Sequence, residues 1–166
     1  MTVERDPALD TARLRAAAAA IGVDLGTEHL RAMAEHAEVL AAANSQGNLT
    51  RITDPGDVAV GHMADSLACL AALDPRLTTQ NASEAGPSVV DPSVVDVGSG
   101  AGFPGLPLAV VRPNWSFTLV EANHRKAAFL GRTVGALALG NAAVVVGRAE
   151  EVGHTLDHRG RHWVAV

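Results

Sequence analysis

The sequence predicts an α/β protein with a parallel sheet in the second half of the chain and a helical region before it. Its composition changes once, near residue 90. Before this point apolar residues recur with the 3.6-residue period of helices. After it, short β-branched segments alternate with helical ones, which is typical of a parallel sheet. We therefore predict a helical region over residues 1–73, a linker over 74–92 and a partial parallel sheet over 93–166.

Three helices are predicted in the first region. Thr11 is expected to cap the first helix, which Gly22 ends. Thr27 opens the second helix, and Asp54, followed by proline, starts a third that runs to about Leu73. The apolar stripe of the first helix consists of Leu14, Ala17, Ala18 and Ile21. That of the second consists of Leu30, Met33, Ala34, Ala37, Leu40 and Ala41.

The predicted linker, residues 74–92, is rich in Ser, Thr, Pro, Gly and Asn. It contains the first copy of a direct repeat, PSVVD, at residues 87–91, and a second copy follows at 92–96. The second copy leads into the first predicted strand. We assign the first copy to a flexible connection without chemistry of its own.

Length and charge restrict the class of protein. A chain of 166 residues can bury one core and a helical appendage. The formal net charge of −5 argues against wide nonspecific nucleic-acid binding but leaves room for a local basic patch. A single cysteine, Cys69, excludes an internal disulfide framework and fits a reducing compartment. No apolar run of membrane-spanning length or signal-peptide core is evident, so we expect a cytoplasmic protein with no membrane partner.

The run VVDVGSGAGFPGLP, residues 94–107, is the most informative motif. Its valines predict a buried strand that leads directly into a glycine-rich turn. Glycines permit backbone conformations and close approaches that a Cβ would block, so a ligand could lie against bare peptide groups. The candidate ligand-binding residues of this turn are Gly98, Ser99, Gly100 and Gly102.

Two classes of cofactor use such a turn. The register GAGFPG fits the dinucleotide fingerprint, whose pyrophosphate lies on a helix N-terminus. The register GSGAG, preceded by Asp96, fits S-adenosylmethionine (SAM), because a carboxylate there could face the cationic amino end of that cofactor and would oppose a phosphate. Pro104 and Pro107 also remove amide donors that a phosphate would need. These observations favour SAM.

Two further acids follow predicted strands. Glu121 ends the strand SFTLVE, 23 residues after Gly98, where a carboxylate could accept the ribose hydroxyls of either cofactor. Glu150 follows a third strand, AAVVVG, and could accept the adenine amino group. The alternative is that both acids only begin helices, where negative charge suits the helix dipole. A fourth strand is predicted in RHWVAV at residues 161–166.

Several phrases of the chain resemble one family, in that family's order: NLT at 48–50, DP at 54–55, HMADSL at 62–67, DVGSGAGFPGLPLAVVRP at 96–113 and GRAEE at 147–151. They are similar to the bacterial small-subunit rRNA methyltransferase G family, also called the glucose-inhibited division protein B family. The resemblance implies a Rossmann-like class I SAM-dependent methyltransferase fold with an N-terminal helical subdomain. It also implies methylation of N7 of guanine 527, in the 530 loop of 16S rRNA of the small ribosomal subunit, with S-adenosylhomocysteine as product.

The resemblance also assigns residues. It implies that Phe103 and Ala149 contact SAM together with Gly98 and Glu150, and that Glu121 lies at the ribose. Phe103 could equally be a core residue that anchors the turn. The chain departs from the family at two places, where the family usually has an aromatic residue and an arginine. Ala43 and Gly61 stand there.

The strongest local basic set comprises Arg125, Lys126 and Arg148, which we predict to contact RNA phosphates; the alternative is that they only form a solvated surface. His62 shares one face of the third helix with Asp65 and Ser66, and this face could contact substrate or dock the helices onto the sheet. Three histidines recur every fourth residue at 154, 158 and 162. Glycines interrupt that segment and no cysteine joins it, so no metal site is expected.

A class I methyltransferase sheet has seven strands, and this sequence supplies candidates for four. We therefore expect the 166 residues to be a truncated product, part of a longer protein or a partly ordered chain. Alone, such a chain should bind SAM weakly, turn over little and tend to pair through the open edge of its sheet. Three alternatives remain open: a SAM-dependent enzyme acting on a small molecule, an NAD-binding dehydrogenase and a non-catalytic module derived from a methyltransferase. The dehydrogenase is disfavoured because the chain offers no paired acid and base for hydride transfer.

Overall fold

The computed structural model describes residues 7–73, 92–155 and 157–166. All of the predicted linker except Pro92 lies outside these residues, as does the first copy of the repeat. Among the helices of the described residues, none combines the length and the hydropathy that a bilayer crossing requires.

Two regular helices open the described chain. Helix α1 spans Thr11–Ala20 and α2 spans Thr27–Gly47. The prediction that Thr11 caps α1 is wrong, because the side chain of Asp10 accepts the N–H of Arg13 and Thr11 is the first helical residue. A carboxylate suits this position better than a hydroxyl, because its negative charge also interacts favourably with the positive end of the helix dipole. Gly22, at φ +78°, ends the segment as predicted.

The predicted apolar stripes are largely buried. In α1 Leu14 and Ala18 are fully buried, but Ile21 is 40% exposed because the helix ends before it. In α2 the outermost member of the stripe, Ala41, is exposed. The buried members of the α2 stripe are Leu30, Met33, Ala37 and Leu40.

The third predicted helix is divided by a π-helical segment. It comprises α3 (Pro55–Val58), the π-helical turns Ala59–Ala64 and α4 (Asp65–Ala68), and residues 70–73 are again helical. Asp54 caps it as predicted, accepting the N–H groups of Gly56 and Asp57 at 2.9 and 3.0 Å. A π segment carries more residues per turn than an α-helix and is frequent at functional sites. His62 lies within it.

The second half forms a four-stranded parallel sheet with the strand order β3-β2-β1-β4. The strands are β1 (Ser93–Val97), β2 (Ser116–Glu121), β3 (Ala142–Val146) and β4 (Val164–Ala165). The helices that follow the first three strands are α5 (Gly105–Val111), α6 (His124–Ala136) and α7 (Ala149–Val152). This confirms the predicted α/β class, and the order is that of half a Rossmann-like sheet.

The topology defines where a ligand would bind. The chain runs outward from β1 to β3 and then returns to place β4 on the other side of β1. In open parallel sheets ligands bind outside the carboxyl ends of the strands, at the point where the strand order reverses. Here that point is the end of β1, where the glycine-rich turn begins. One face of β1 and β2 forms the core at this position, through Val94, Asp96, Phe117 and Leu119.

Candidate cofactor site

The glycine-rich turn folds over the end of the neighbouring strand. Gly98, Gly100 and Gly102 have φ values of +80°, +57° and +93°, a region that L side chains rarely adopt. The N–H groups of Gly98 and Ser99 both donate to Val120 O, at 2.8 and 3.1 Å. The predicted turn residues therefore lie together at the carboxyl ends of β1 and β2.

Glu121 is held in place by the turn that it faces. Its Oε2 accepts the N–H of Gly100 at 2.9 Å, and its Oε1 accepts the N–H of Asn123 at 2.7 Å. The residue is 8% exposed. Each carboxylate oxygen can accept a second hydrogen bond. Glu121 is thus fixed in position with acceptor capacity left over, and its predicted contact with ribose hydroxyls stays a prediction.

Asp96 lies on the buried side of the turn. It is 2% exposed, and its Oδ2 accepts the N–H of Gly105, the first residue of α5, at 3.0 Å. A Cβ on Gly105 would lie 2.6 Å from the same oxygen, so only glycine permits this approach. Burial of the carboxyl raises its pKa from 3.8 to about 6. Through this hydrogen bond Asp96 ties the start of α5 to the end of β1, and its predicted contact with an amino group stays a prediction.

The hydrogen-bond donors of the turn distinguish the two cofactor classes that the glycine spacing left open. A pyrophosphate needs backbone N–H groups that point to the ligand. In this turn five of them already donate inside the protein, to backbone or carboxylate oxygens. They belong to Gly98, Ser99, Gly100, Gly102 and Gly105. Because two of the acceptors are the carboxylates of Asp96 and Glu121, the turn fits a neutral or cationic ligand better than a phosphate.

The ring of Phe103, a residue of the glycine-rich turn, stacks with two imidazole rings. Its ring centroid lies 4.3 Å from that of His62, at an interplanar angle of 7°, and 4.8 Å from that of His36, at 22°. We call these three residues the three-ring stack. His62 comes from the π-helical segment and His36 from α2, so the stack attaches both to the turn. Of the two roles left open for His62, docking of the helices is the one that this geometry supports.

His36 also holds the backbone of the turn. Its Nε2 lies 3.0 Å from Ala101 O, an acceptor, so this nitrogen carries the proton and donates. The residue is 1% exposed, and desolvation lowers its pKa from 6.5 to about 4. The ring is therefore neutral at pH 7. Sequence reasoning missed this residue, although its place between Met33 and Ala37 in the buried stripe of α2 was a signal.

His62 is held from its other side by Thr50. The hydroxyl oxygen Oγ1 of Thr50 lies 2.7 Å from His62 Nε2 and accepts the N–H of Ile52 at 3.1 Å. Desolvation lowers the pKa of His62, while the charge of Asp65 opposes this effect. Ser66, the third member of the predicted polar face, is buried and donates to the carbonyl of His62.

The third predicted acid occupies a different environment. The end of β3 lies beside the end of β2, since Gly147 N–H donates to Glu121 O at 3.1 Å. Glu150, in the first turn of α7, is 70% exposed at its side chain and lies 3.9 Å from Arg148 Nη1. Ala149 lines a cavity of about 230 Å³ together with Val97 and Val120. The predicted adenine contact of Glu150 stays a prediction.

The predicted RNA-contacting residues lie in three places. Arg125 and Lys126 are in the first turn of α6 and line one cavity with Arg132, which sequence reasoning missed. Arg148 pairs with Glu150, and His62 belongs to the three-ring stack. The structure therefore brings only the first two together.

Comparison with known proteins supplies the family. The family model described as rRNA small subunit methyltransferase G matches residues 29–160, which contain all but the first two residues of α2, the three-ring stack and the glycine-rich turn. The chain belongs to the rRNA small subunit methyltransferase G family. This confirms the resemblance carried by the sequence motifs.

Relatives of the methyltransferase G family match over most of this chain but over only part of their own length. The Ribosomal RNA small subunit methyltransferase G of Nitrosomonas europaea is 44% identical over 115 residues, which are 69% of this chain and 46% of the relative. Those of Pelotomaculum thermopropionicum and Roseiflexus sp. are 37% and 39% identical, over 88% and 93% of this chain and 56% and 57% of the relatives. The chain thus spans about half the length of the curated relatives it matches.

Proposed function

We propose that this protein transfers a methyl group from SAM to 16S rRNA of the small ribosomal subunit, at N7 of a guanine in the 530 loop. One observation carries the proposal: the glycine-rich turn and the braced carboxylate of Glu121 form a ligand site whose amide donors are already used. The names of the relatives, Ribosomal RNA small subunit methyltransferase G, support the reaction and the class of substrate. Because the small ribosomal subunit is found in the cytoplasm, we propose a cytoplasmic location for the protein.

The residues of the turn are suited to hold SAM. Glu121 would accept the two ribose hydroxyls with its remaining lone pairs, and its position is fixed by Gly100 and Asn123. At Gly98 nothing lies within 4 Å of the place of a Cβ, which leaves room for the ligand against the peptide. The negative field of Asp96 and Glu121 favours a cationic ligand. When bound, SAM supplies a methyl group on a positively charged sulfur.

The chain needs no general base for this reaction. Guanine N7 carries an in-plane lone pair and no proton, so the protein has to align the nucleophile with the methyl group and exclude water. The three-ring stack contributes to alignment indirectly, because His36 and His62 pack the helices against Phe103 and so fix the position of the turn. A target base in a folded RNA loop must be turned out of its stack to reach the site.

The proposed cofactor role of Glu121 can be tested by calorimetry with S-adenosylhomocysteine. The Glu121→Gln variant keeps an oxygen for one amide but loses the charge and one acceptor, and we expect its affinity to fall about tenfold or more. Glu38→Gln, on the exposed side of α2, is the matched control and should bind as the wild type does. Equal affinity in all three proteins would contradict the role of Glu121.

The reaction itself is tested by transfer of labelled methyl groups to small subunits that lack the modification. Methylation at one guanine N7 is expected, in the chain as it stands or in a longer form of it. Binding of S-adenosylhomocysteine without transfer to rRNA would instead favour a SAM-dependent enzyme of another substrate or a binding module. Binding of NAD in preference to S-adenosylhomocysteine would refute the assignment of the turn.

A further inference from the structure

A cavity of about 430 Å³ lies between the end of α2 and α6, and we call it the α2–α6 cavity. Three cationic residues of α6 line it: Arg125, Lys126 and Arg132. None of the ten described residues that line the cavity is acidic. In a protein of net charge −5, this is a local concentration of positive charge in a concave surface. Such surfaces raise the local concentration of anions.

The arrangement of the cations suits an extended anion. Arg125 and Arg132 are separated by two helical turns, about 10 Å along α6, on the same side of the helix. A Cβ at Gly47 would overlap the Arg125 guanidinium, so this side chain lies across the end of α2 and forms one wall. Across the part of the chain that the structure describes, Lys126 and Arg132 form no ion pair with a carboxylate. Their charge is therefore available to a ligand.

The cavity is connected to the proposed cofactor site. Asn123, which lines the cavity, donates its backbone N–H to Glu121 and caps α6 with its side chain. Arg125 and Lys126, in the first turn of α6, thus follow Glu121 closely in the sequence. Ala43 also lines the cavity, at a position where a larger side chain would reduce its volume. Asn123 therefore forms a boundary that the cavity shares with the proposed cofactor site.

We propose that the α2–α6 cavity binds neighbouring backbone phosphates of the RNA substrate, one through Lys126 and one through Arg132. This rests on the proposed function, since it takes the substrate to be RNA. Phosphate contacts position a nucleic acid without selecting its sequence, so the cavity orients the RNA while other contacts present the target base. Arg132, which no motif singled out, thereby becomes a substrate-positioning residue.

The experiment measures RNA affinity as a function of salt. A fluorescent RNA hairpin that carries the 530-loop sequence is titrated with the 166-residue chain and followed by anisotropy at several potassium chloride concentrations. Lys126→Gln and Arg132→Gln should each weaken binding about three- to tenfold at low salt. Each should also reduce the slope of log K against log salt by about 0.7 to 0.9, the value for one phosphate contact. Arg15→Gln, which removes an exposed cation of α1 outside the cavity, is the matched control and should change neither quantity.

The outcomes separate the proposal from the function on which it rests. An unchanged slope in both cavity variants overturns the proposal, and so does a wild type that binds no RNA. S-adenosylhomocysteine affinity is measured on the same proteins and should be unaffected by either substitution. If RNA binding depends on Lys126 and Arg132 while S-adenosylhomocysteine does not bind, the result supports RNA binding by the cavity and contradicts the proposed function. If inorganic phosphate alone, at constant ionic strength, displaces the RNA at micromolar concentration, the cavity is a site for a free anion instead.

Discussion

Acidification should destabilise this protein through His36. Desolvation lowers the pKa of this buried imidazole from 6.5 to about 4, so the folded protein resists protonation that the unfolded chain accepts. Above about pH 6.5 neither state carries the proton and the residue imposes no penalty. As the pH falls through 6.5 toward 4, the unfolded state binds the proton and the free energy of unfolding decreases.

The size of this effect follows from the two pKa values. The full shift corresponds to about 3 kcal/mol, reached below about pH 4, and at pH 5 the loss is about 2 kcal/mol. Asp96 acts in the opposite direction. Because burial raises its pKa to about 6, the folded state takes up that proton first, and stability is regained as the pH falls below 6. The wild-type profile is therefore flatter than either residue alone would make it.

The assay is urea unfolding at pH 7.5 and pH 5.0, for the wild type and for His36→Gln. Glutamine can donate a hydrogen bond to Ala101 O but cannot titrate, and Asp96 is common to both proteins. Between the two pH values the wild type should lose about 2 kcal/mol more than the variant. The same pH dependence in both proteins would refute the argument that burial keeps this imidazole neutral.

Three further substitutions test the packing of the site, each by urea unfolding at pH 7.5. Gly102→Ala places a Cβ against Leu106 at φ +93° and should cost about 2–4 kcal/mol, whereas Gly131→Ala, in open space within α6, should not destabilise. Asp54→Ala removes the cap of α3 and should cost about 1 kcal/mol; no change would mean that the cap is redundant. Thr50→Val removes the partner of His62 Nε2 and should cost about 1–2 kcal/mol, and an unaffected stability would contradict the bond.

The sheet was predictable because its signals are local. Runs of valine mark β1 and β3, and the glycine spacing marks the turn, so the order of strands and helices follows from a few residues each. The cap of α1 was misassigned because aspartate and threonine are adjacent there and either could serve. The π-helical segment carries no such local signal, since its residues are compatible with an ordinary helix.

The site was predictable in part. The positions of Gly98 and Glu121 follow from the ends of parallel strands, which always meet at one edge of a sheet. The three-ring stack could not be predicted, because His36 and Phe103 are distant in the sequence and no period relates them. The α2–α6 cavity was not predicted: the sequence indicated Arg125 and Lys126 as a basic pair because they are adjacent, whereas Arg132 joins them only through the geometry of α6.

Because of the three-ring stack, the glycine-rich turn depends on the N-terminal helices for its conformation. If residues 93–166 were transplanted without the helices, the Ala101 carbonyl would lose its imidazole donor and the ring of Phe103 would lose both of its stacking partners. The sheet and the helices therefore form one structural unit that has to be kept together. A substitution at His36 or His62 would therefore alter the glycine-rich turn, although both residues lie outside it.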